Sequence, residues 1–198
     1  LSLCKKNMEN MDTNNNYSKA KHDLLAEVCM AAYYEGDLIK THHQQHQVTY
    51  PGYHSQICTE LARSFADIGD IVRGRDLYSG NDEEKKQRKQ LDKNLKDIFG
   101  KIHDDVTSDK NGELKTRYKG DKNKNYSKLR EDWWTANRDQ VWKAITCKAK
   151  EADKYFRNTC NGGSLTEGYC RCNGDKPDKD VVNIDPPTYF DYVPQFLR

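Results

Sequence analysis

The sequence has no apolar run of about 18 residues, the length at which a helix can cross a bilayer, so it predicts no membrane span. It does not open with a charged segment followed by an apolar one, and we therefore predict no signal peptide. Although 32% of the residues are charged, the net charge is only +2. Binding of an anion would therefore depend on local clusters of charge and not on the field of the whole molecule.

The cysteines include no C-x-x-C pair, and their spacing assembles no zinc site. There are seven of them, at positions 4, 29, 58, 147, 160, 170 and 172. Disulfides fit this pattern better than a metal does, which predicts an oxidising compartment. Because seven is an odd number, one cysteine is left over. Cys4 is the natural candidate for a partner outside this sequence, and we therefore expect the chain to be a fragment.

No catalytic motif is present. Gly69 and Gly74 have the spacing of a phosphate-binding loop, but Arg75 and Asp76 stand where that loop has lysine and then serine or threonine. The order Arg-Gly-Arg-Asp is also not the integrin-binding Arg-Gly-Asp. The segment THHQQH places two histidines one helical turn apart without a third metal ligand. No nucleophile and base occur in a known motif. We therefore predict no enzyme activity, no metal and no cofactor.

Strand-like alternation is nearly absent, and four segments instead have the apolar spacing of amphipathic helices. We place them at about Ser18 to Gln47, Tyr53 to Arg73, Asn81 to Val106 and Tyr126 to Phe156. Two of them carry one continuous apolar stripe, formed by Ile57, Leu61, Phe65, Ile68 and Val72 and by Leu91, Leu95, Ile98, Ile102 and Val106. The sequence thus predicts an all-α bundle of long helices with disulfide-linked loops.

Local signals refine this prediction. Gly74 is expected to end the second helix in a left-handed cap. Asn81 and Glu84 have the spacing of a capping box at the start of the third helix. Trp133 and Trp134 are adjacent on the fourth helix, so at most one can face outward, and packing in the core is favoured over stacking on a sugar.

Positive charge is densest between residues 115 and 130, where seven cations face the single acid Asp121. These candidate anion-binding residues are Lys115, Arg117, Lys119, Lys122, Lys124, Lys128 and Arg130. Thr107 to Asn125 is predicted to be an exposed and mobile loop, on which such a cluster can collect sulfate or phosphate groups. A loop that only keeps the protein soluble explains the charge equally well. The lysine-rich face of the third helix is predicted to be solvated.

Several blocks of sequence resemble one known family. "LCKKNMENM", "LLAEVCMAAYYEG", "ARSFADIGDIVRGRDLY", "LREDWWTANRDQVWKAITC", "YFRNTC", "CRC" and "PPTYFDYVPQFLR" occur in the order found in the alpha-class Duffy-binding-like domain. These domains head the variant erythrocyte membrane protein of the malaria parasite Plasmodium falciparum. The blocks extend over essentially the whole chain.

The resemblance implies a division into three parts. Residues 1–16 would end a first subdomain, residues 17–185 would form the helical second subdomain, and residues 186–198 would begin a third. By the same analogy Cys4 pairs upstream, and Cys29 pairs with Cys147. Cys58 would pair with one of the remaining three cysteines and leave the other two bonded to each other; these three are Cys160, Cys170 and Cys172.

The implied function is adhesion at the extracellular face of the infected erythrocyte membrane, as part of a larger membrane protein. The implied partners are receptors on host erythrocytes or endothelium, including heparan sulfate, blood-group glycans and complement receptor, and the resemblance associates alpha-class domains with rosetting. We expect no nucleic acid partner. In an alternative, this chain is a structural and antigenic scaffold, and the binding sites lie in the other subdomains.

Overall fold

The computed structural model describes residues 19–49, 56–77, 80–108, 112–179 and 185–198, without the side chain of residue 47. These ranges contain five α-helices: α1 (Ala20–Thr49), α2 (Ile57–Arg73), α3 (Asp82–Val106), α4 (Gly112–Arg117) and α5 (Ser127–Ile145). Short 3₁₀ helices form at Asp121–Lys124, Phe190–Tyr192 and Gln195–Leu197. In the same ranges, β-structure is limited to three isolated bridges between residues 160 and 179. The predicted all-α class is confirmed. No described helix is both long enough and apolar enough to cross a membrane.

The core lies between α1, α2, α3 and α5. Phe65 is fully buried at its centre, with its ring centroid 5.1 Å from that of Trp134 and 5.2 Å from that of Trp142. Trp133 and Trp134 are both buried, as predicted. Gly69 lets α2 approach closely, because a Cβ atom there would lie 2.8 Å from the Trp134 ring. The two predicted stripes are buried at Leu61, Phe65, Ile68, Val72, Leu91, Leu95, Ile98 and Ile102.

Both helix ends predicted from capping signals are confirmed. Gly74 follows α2 with a φ of 70°, and its N–H donates to the carbonyl of Ile71. At the start of α3, the Asn81 side chain accepts from the N–H of Glu84 at 2.9 Å. The Glu84 carboxylate in turn accepts from the N–H of Asn81 at 3.2 Å. The glycines first compared with a phosphate loop therefore serve packing and helix termination.

Two other predictions of secondary structure are wrong. The last long helix ends at Ile145, well before Phe156, and Arg171 bonds to its final turn. Nη2 of Arg171 donates to the Lys143 carbonyl at 2.7 Å, and Nε donates to the Thr146 hydroxyl at 2.8 Å. The predicted loop before α5 also contains α4 and a 3₁₀ helix.

Two disulfides tie the C-terminal loop together. Cys58 of α2 is bonded to Cys170, 112 residues away, and Cys160 is bonded to Cys172. This is one of the pairings that the resemblance left open. The first bond closes a long loop, which removes much conformational freedom from the unfolded chain. Cys4 lies outside the described residues.

Cys29 and Cys147, which the resemblance predicts to be bridged, are free thiols in the structure. Gly36 of α1 packs on the backbone of Ile145, and burial together with the Asp139 carboxylate raises the pKa of Cys29 to about 11. The bridge between Cys29 and Cys147 that the resemblance predicts is not formed.

The C-terminal segment is held by a buried carboxylate. Asp191 accepts from Nε1 of Trp134 and from Nε and Nη2 of Arg138, at 2.9 Å each. Nη2 of Arg138 also donates to the Thr188 carbonyl at 2.8 Å, and Arg73 of α2 donates to the Asp191 carbonyl. This network joins α2, α5 and the C-terminal segment.

The close contact between α1 and α5 gives a first prediction. A Cβ atom at Gly36 would lie 2.1 Å from the Ile145 carbonyl oxygen, so Gly36→Ala must push the helices apart. We expect a loss of about 1–3 kcal/mol in the free energy of unfolding, measured with urea. Gly112→Ala is the matched control, because a Cβ atom there meets nothing within 4 Å. Equal stability of the two variants would contradict the packing described.

The carboxylate network gives a second prediction. Asp191→Asn leaves the buried guanidinium of Arg138 without its charged partner and should cost about 3 kcal/mol of unfolding free energy. Asp185→Asn is the control, since Asp185 contacts the same arginine at 3.3 Å but its side chain is 77% exposed, against 0% for Asp191. The control should lose less than about 1 kcal/mol. A control as unstable as Asp191→Asn would show that burial of the pair does not govern its contribution.

Candidate anion-binding surface

The basic segment is fixed to α5 by one ion pair. Arg117, at the end of α4, donates through Nε and Nη2 to the two carboxylate oxygens of Asp132, at 2.7 Å each. The hydroxyl of Tyr118 donates to the same carboxylate at 2.9 Å. The Tyr118 ring is buried beside His103 of α3, with ring centroids 6.5 Å apart. Arg117 and Tyr118 therefore attach the end of α4 to α5 and to α3.

The next turn of the segment is fixed by Asp121. Its buried carboxylate accepts from the N–H groups of Lys128 and Leu129, at 3.1 and 2.9 Å, and so caps the start of α5. Asn125 and Tyr126 both take positive φ values, 57° and 55°, which turn the chain sharply into the helix. The acid counted within the basic cluster is thus occupied with backbone groups.

Five of the seven predicted cations project from this framework. The exposed side chains are Lys115, Lys119, Lys122, Lys124 and Lys128. Arg117 is also exposed, but its Nε and Nη2 groups are already bonded to the two carboxylate oxygens of Asp132. The structure therefore narrows the candidate anion-binding surface to these five lysines, which we call the lysine surface.

Arg130 is a correction to the prediction. Its side chain is 0% exposed, lies 5.3 Å from the centre of the Phe99 ring, and contacts Asp92 of α3 at 3.3 Å. Sequence position placed it with the basic segment, but the helical period turns it into the bundle. It is therefore not part of the exposed surface of the basic segment.

A second group of lysines lies on α3. Lys85, Lys86, Lys89 and Lys93 are exposed and line a shallow groove of about 420 Å³ together with Asp82 and Gln90. The prediction of a solvated face is consistent with this exposure. This face also carries acids, including Asp92 and Asp97.

One feature near α3 was missed from the sequence. A cleft of about 290 Å³ lies between the end of α2 and the first turns of α3. Its lining combines apolar and charged side chains: Ile71, Gly74, Asp76, Arg88, Lys89, Leu91, Asp92 and Leu95. No sequence motif joins these residues, and only the helix packing brings them together. Among the described residues, no group of three metal-ligating side chains occurs.

The sequence matches the Duffy binding domain family over residues 1–198. The chain belongs to this family. Its division into subdomains at residues 16 and 185 stays a prediction. A comparison with curated proteins found no match.

Solved structures give closer relatives within the Duffy binding domain family. The NTS-DBL1α1 domain of Plasmodium falciparum membrane protein 1 (PfEMP1) from the varO strain is 41% identical, with a TM-score of 0.72 over 98% of this chain and 39% of that one. The ICAM-1-binding DBLβ domain of IT4var13 PfEMP1 is 30% identical, with a TM-score of 0.66 over 98% and 39%. Another PfEMP1 DBLβ domain, bound to human ICAM-1, is 28% identical, with a TM-score of 0.54 over 95% and 32%. This chain therefore spans about two fifths or less of each relative.

The attachment of α4 gives a third prediction. Hydrogen bonds from Arg117 hold the pKa of Asp132 below its usual value, although burial opposes them. A lowered pKa in the folded state gives stability that is present above the unfolded value of about 4 and is lost as pH falls through the folded value. Wild type should therefore lose more stability than Asp132→Asn between about pH 5 and pH 3. Urea unfolding at each pH measures this.

Asp97→Asn, an equal change of charge on the exposed face of α3, is the control for this prediction. It should keep the pH dependence of wild type. If Asp132→Asn keeps it as well, the pair with Arg117 does not contribute to stability in solution.

Proposed function

We propose that this chain is part of a host-cell adhesion module and that its lysine surface binds sulfated glycosaminoglycans. The observation that carries the proposal is the exposure of five lysines on a segment whose acids are already engaged. Asp121 caps α5, and Asp132 binds Arg117. A polyanion therefore meets five exposed ammonium groups, while these two carboxylates are engaged by other groups.

The geometry of the segment suits a repetitive, flexible ligand. A lysine carries a compact charge at the end of a long flexible side chain, so several lysines can contact sulfate groups at varied spacing better than a rigid pocket can. Their positions extend over α4, the 3₁₀ helix and the first turn of α5. Binding of this kind is dominated by screened electrostatics, so it should weaken steeply as salt concentration rises.

The relatives support the class of function. Two of the similar DBLβ domains are described as binding ICAM-1 or as bound to it, which makes recognition of a host surface protein a known property of those relatives. For this chain we propose the corresponding setting: the extracellular face of an infected erythrocyte, within a larger PfEMP1-like membrane protein. Blood-group glycans are a further candidate partner of the same module.

A scaffold role is the second candidate, and one observation favours it. Three large apolar side chains are strongly exposed near the C-terminal segment: Leu77, Phe196 and Leu197. They lie close together, because the N–H of Leu77 donates to the side chain of Gln195 at 2.7 Å. Exposed apolar groups of this kind are typical of surfaces that contact other protein. In this proposal the chain holds neighbouring subdomains, and those subdomains bind the host.

Charge reversal of the lysine surface gives the fourth prediction. The triple variant Lys119→Glu, Lys122→Glu, Lys124→Glu should elute from immobilised heparin at a clearly lower salt concentration than wild type. The matched control reverses Lys85, Lys86 and Lys93 on α3, which changes the net charge by the same amount. The control should stay close to wild type. Equal shifts in the two variants would show that total charge, and not the lysine surface, governs retention.

Binding to red cells separates the two candidate functions. Saturable binding of this chain to uninfected erythrocytes, reduced by the lysine-surface variant, supports the adhesion proposal. A folded chain that shows no binding in this assay, while a longer domain containing it binds, supports the scaffold proposal.

A further inference from the structure

Arg130 differs from the other buried arginines of the described chain. Arg73, Arg138 and Arg171 each donate a hydrogen bond from all three guanidinium nitrogens. In Arg130, Nη1 and Nη2 share a single oxygen of Asp92, at 3.3 Å each, and Nε has no acceptor in the described part of the structure. A buried donor without an acceptor is unfavourable and rare in folded proteins.

The guanidinium of Arg130 reaches the wall of the cleft between α2 and α3. Gly74 forms part of that wall, and a Cβ atom on it would lie 2.1 Å from Nη1 of Arg130. Nη1 of Arg130 therefore occupies the space that a side chain at residue 74 would need, and the guanidinium lies directly behind the wall that Gly74 and Asp92 form. Asp92 also lines the cleft, but its side chain is 55% exposed and can turn toward solvent.

The remaining walls favour a small anion. Arg88 and Lys89 of α3 line the cleft, and Arg88 is paired with Asp76 at 2.9 Å. With Arg130, three cations therefore surround the cleft against the two acids Asp76 and Asp92. Apolar side chains also line the cleft, namely Ile71 of α2 and Leu91 and Leu95 of α3, and they lower the local dielectric constant, which strengthens electrostatic contacts. The cleft has about the smallest volume typical of ligand pockets.

We propose that this cleft binds one oxyanion, a sulfate or a carboxylate group, with Arg130 as its buried anchor and Arg88 and Lys89 at the entrance. The oxyanion supplies an acceptor to Nε, which has none among the described residues, and it displaces Asp92 from its long contacts with Nη1 and Nη2. The inference deepens the proposed function and rests on it in one respect: on an adhesion module, the oxyanion would be carried by a host glycan or protein. The cleft then gives one defined subsite, whereas the lysine surface gives diffuse attraction.

The test is an NMR titration of the disulfide-bonded chain with inorganic sulfate and, separately, with acetate, each at constant ionic strength set with chloride. The Nε–H signal of Arg130 and the amide signal of Gly74 should shift and reach saturation. Saturation with sulfate only, or with acetate only, supports the inference and identifies the group that fits. Shifts that stay linear for both anions overturn it.

Two double variants locate the binding. Arg88→Gln with Lys89→Gln should weaken the saturable shift by at least tenfold. The control, Lys85→Gln with Lys86→Gln, removes the same charge from the same helix outside the cleft and should bind as wild type. Equal weakening in both variants would place the anion elsewhere on α3.

The anion titration and the heparin and erythrocyte assays can fail separately. If the lysine-surface variant loses heparin retention while no anion saturates at Arg130, the cleft inference fails and the adhesion proposal stands. If an anion saturates at Arg130 while heparin and erythrocytes are not bound, the cleft is a site and the adhesion proposal fails.

Discussion

The fold depends on burying arginines along one face of α5. Arg130, Trp134 and Arg138 follow one another at steps of four residues, and Val141 and Ile145 continue the same stripe. A guanidinium in such a place is costly unless its hydrogen bonds are made inside the protein. For Arg138 the acceptors come from Asp191 and its neighbours, which is why the C-terminal segment lies against α2 and α5. The arginine thus determines where a distant part of the chain must pack.

This arrangement decides which parts of the molecule remain available for recognition. The apolar stripes, the tryptophans and two disulfides fix the helices, while Asp132 and Asp121 fix the basic segment to α5. What remains exposed on that segment is a set of five lysines. The chain belongs to the Duffy binding domain family, and in our proposal this set of lysines is the face that meets a polyanion.

The helices could be predicted from the sequence where one stripe dominates, as in α2 and α3, because burial of a regular apolar face is the strongest local signal. The end of α5 could not, since the contacts at its last turn come from Arg171, in a loop 25 residues away in the chain. The error at Arg130 arises because residues close in sequence need not share a surface. Arg130 lies on the helical stripe of Trp134, and that period would have identified it as buried. The sequence likewise gives no local signal that Cys29 and Cys147 are free thiols.

Buried arginines can be divided by how completely they are satisfied. Arg73, Arg138 and Arg171 have full sets of acceptors, and their roles are to hold the C-terminal segment and the cysteine-containing loop. Arg130 is buried like Arg138 and lies on the same face of α5, about two turns earlier. Among the described residues, its guanidinium has only one acceptor, a carboxylate oxygen of Asp92 at 3.3 Å. Burial lowers the pKa of Arg130, because the charged guanidinium loses its water and has few hydrogen-bond acceptors in exchange. A purely structural role would favour either a full set of acceptors or an apolar side chain at this position. An incompletely bonded cation behind a glycine, at the wall of a cleft, is better explained by a partner that comes from outside the chain.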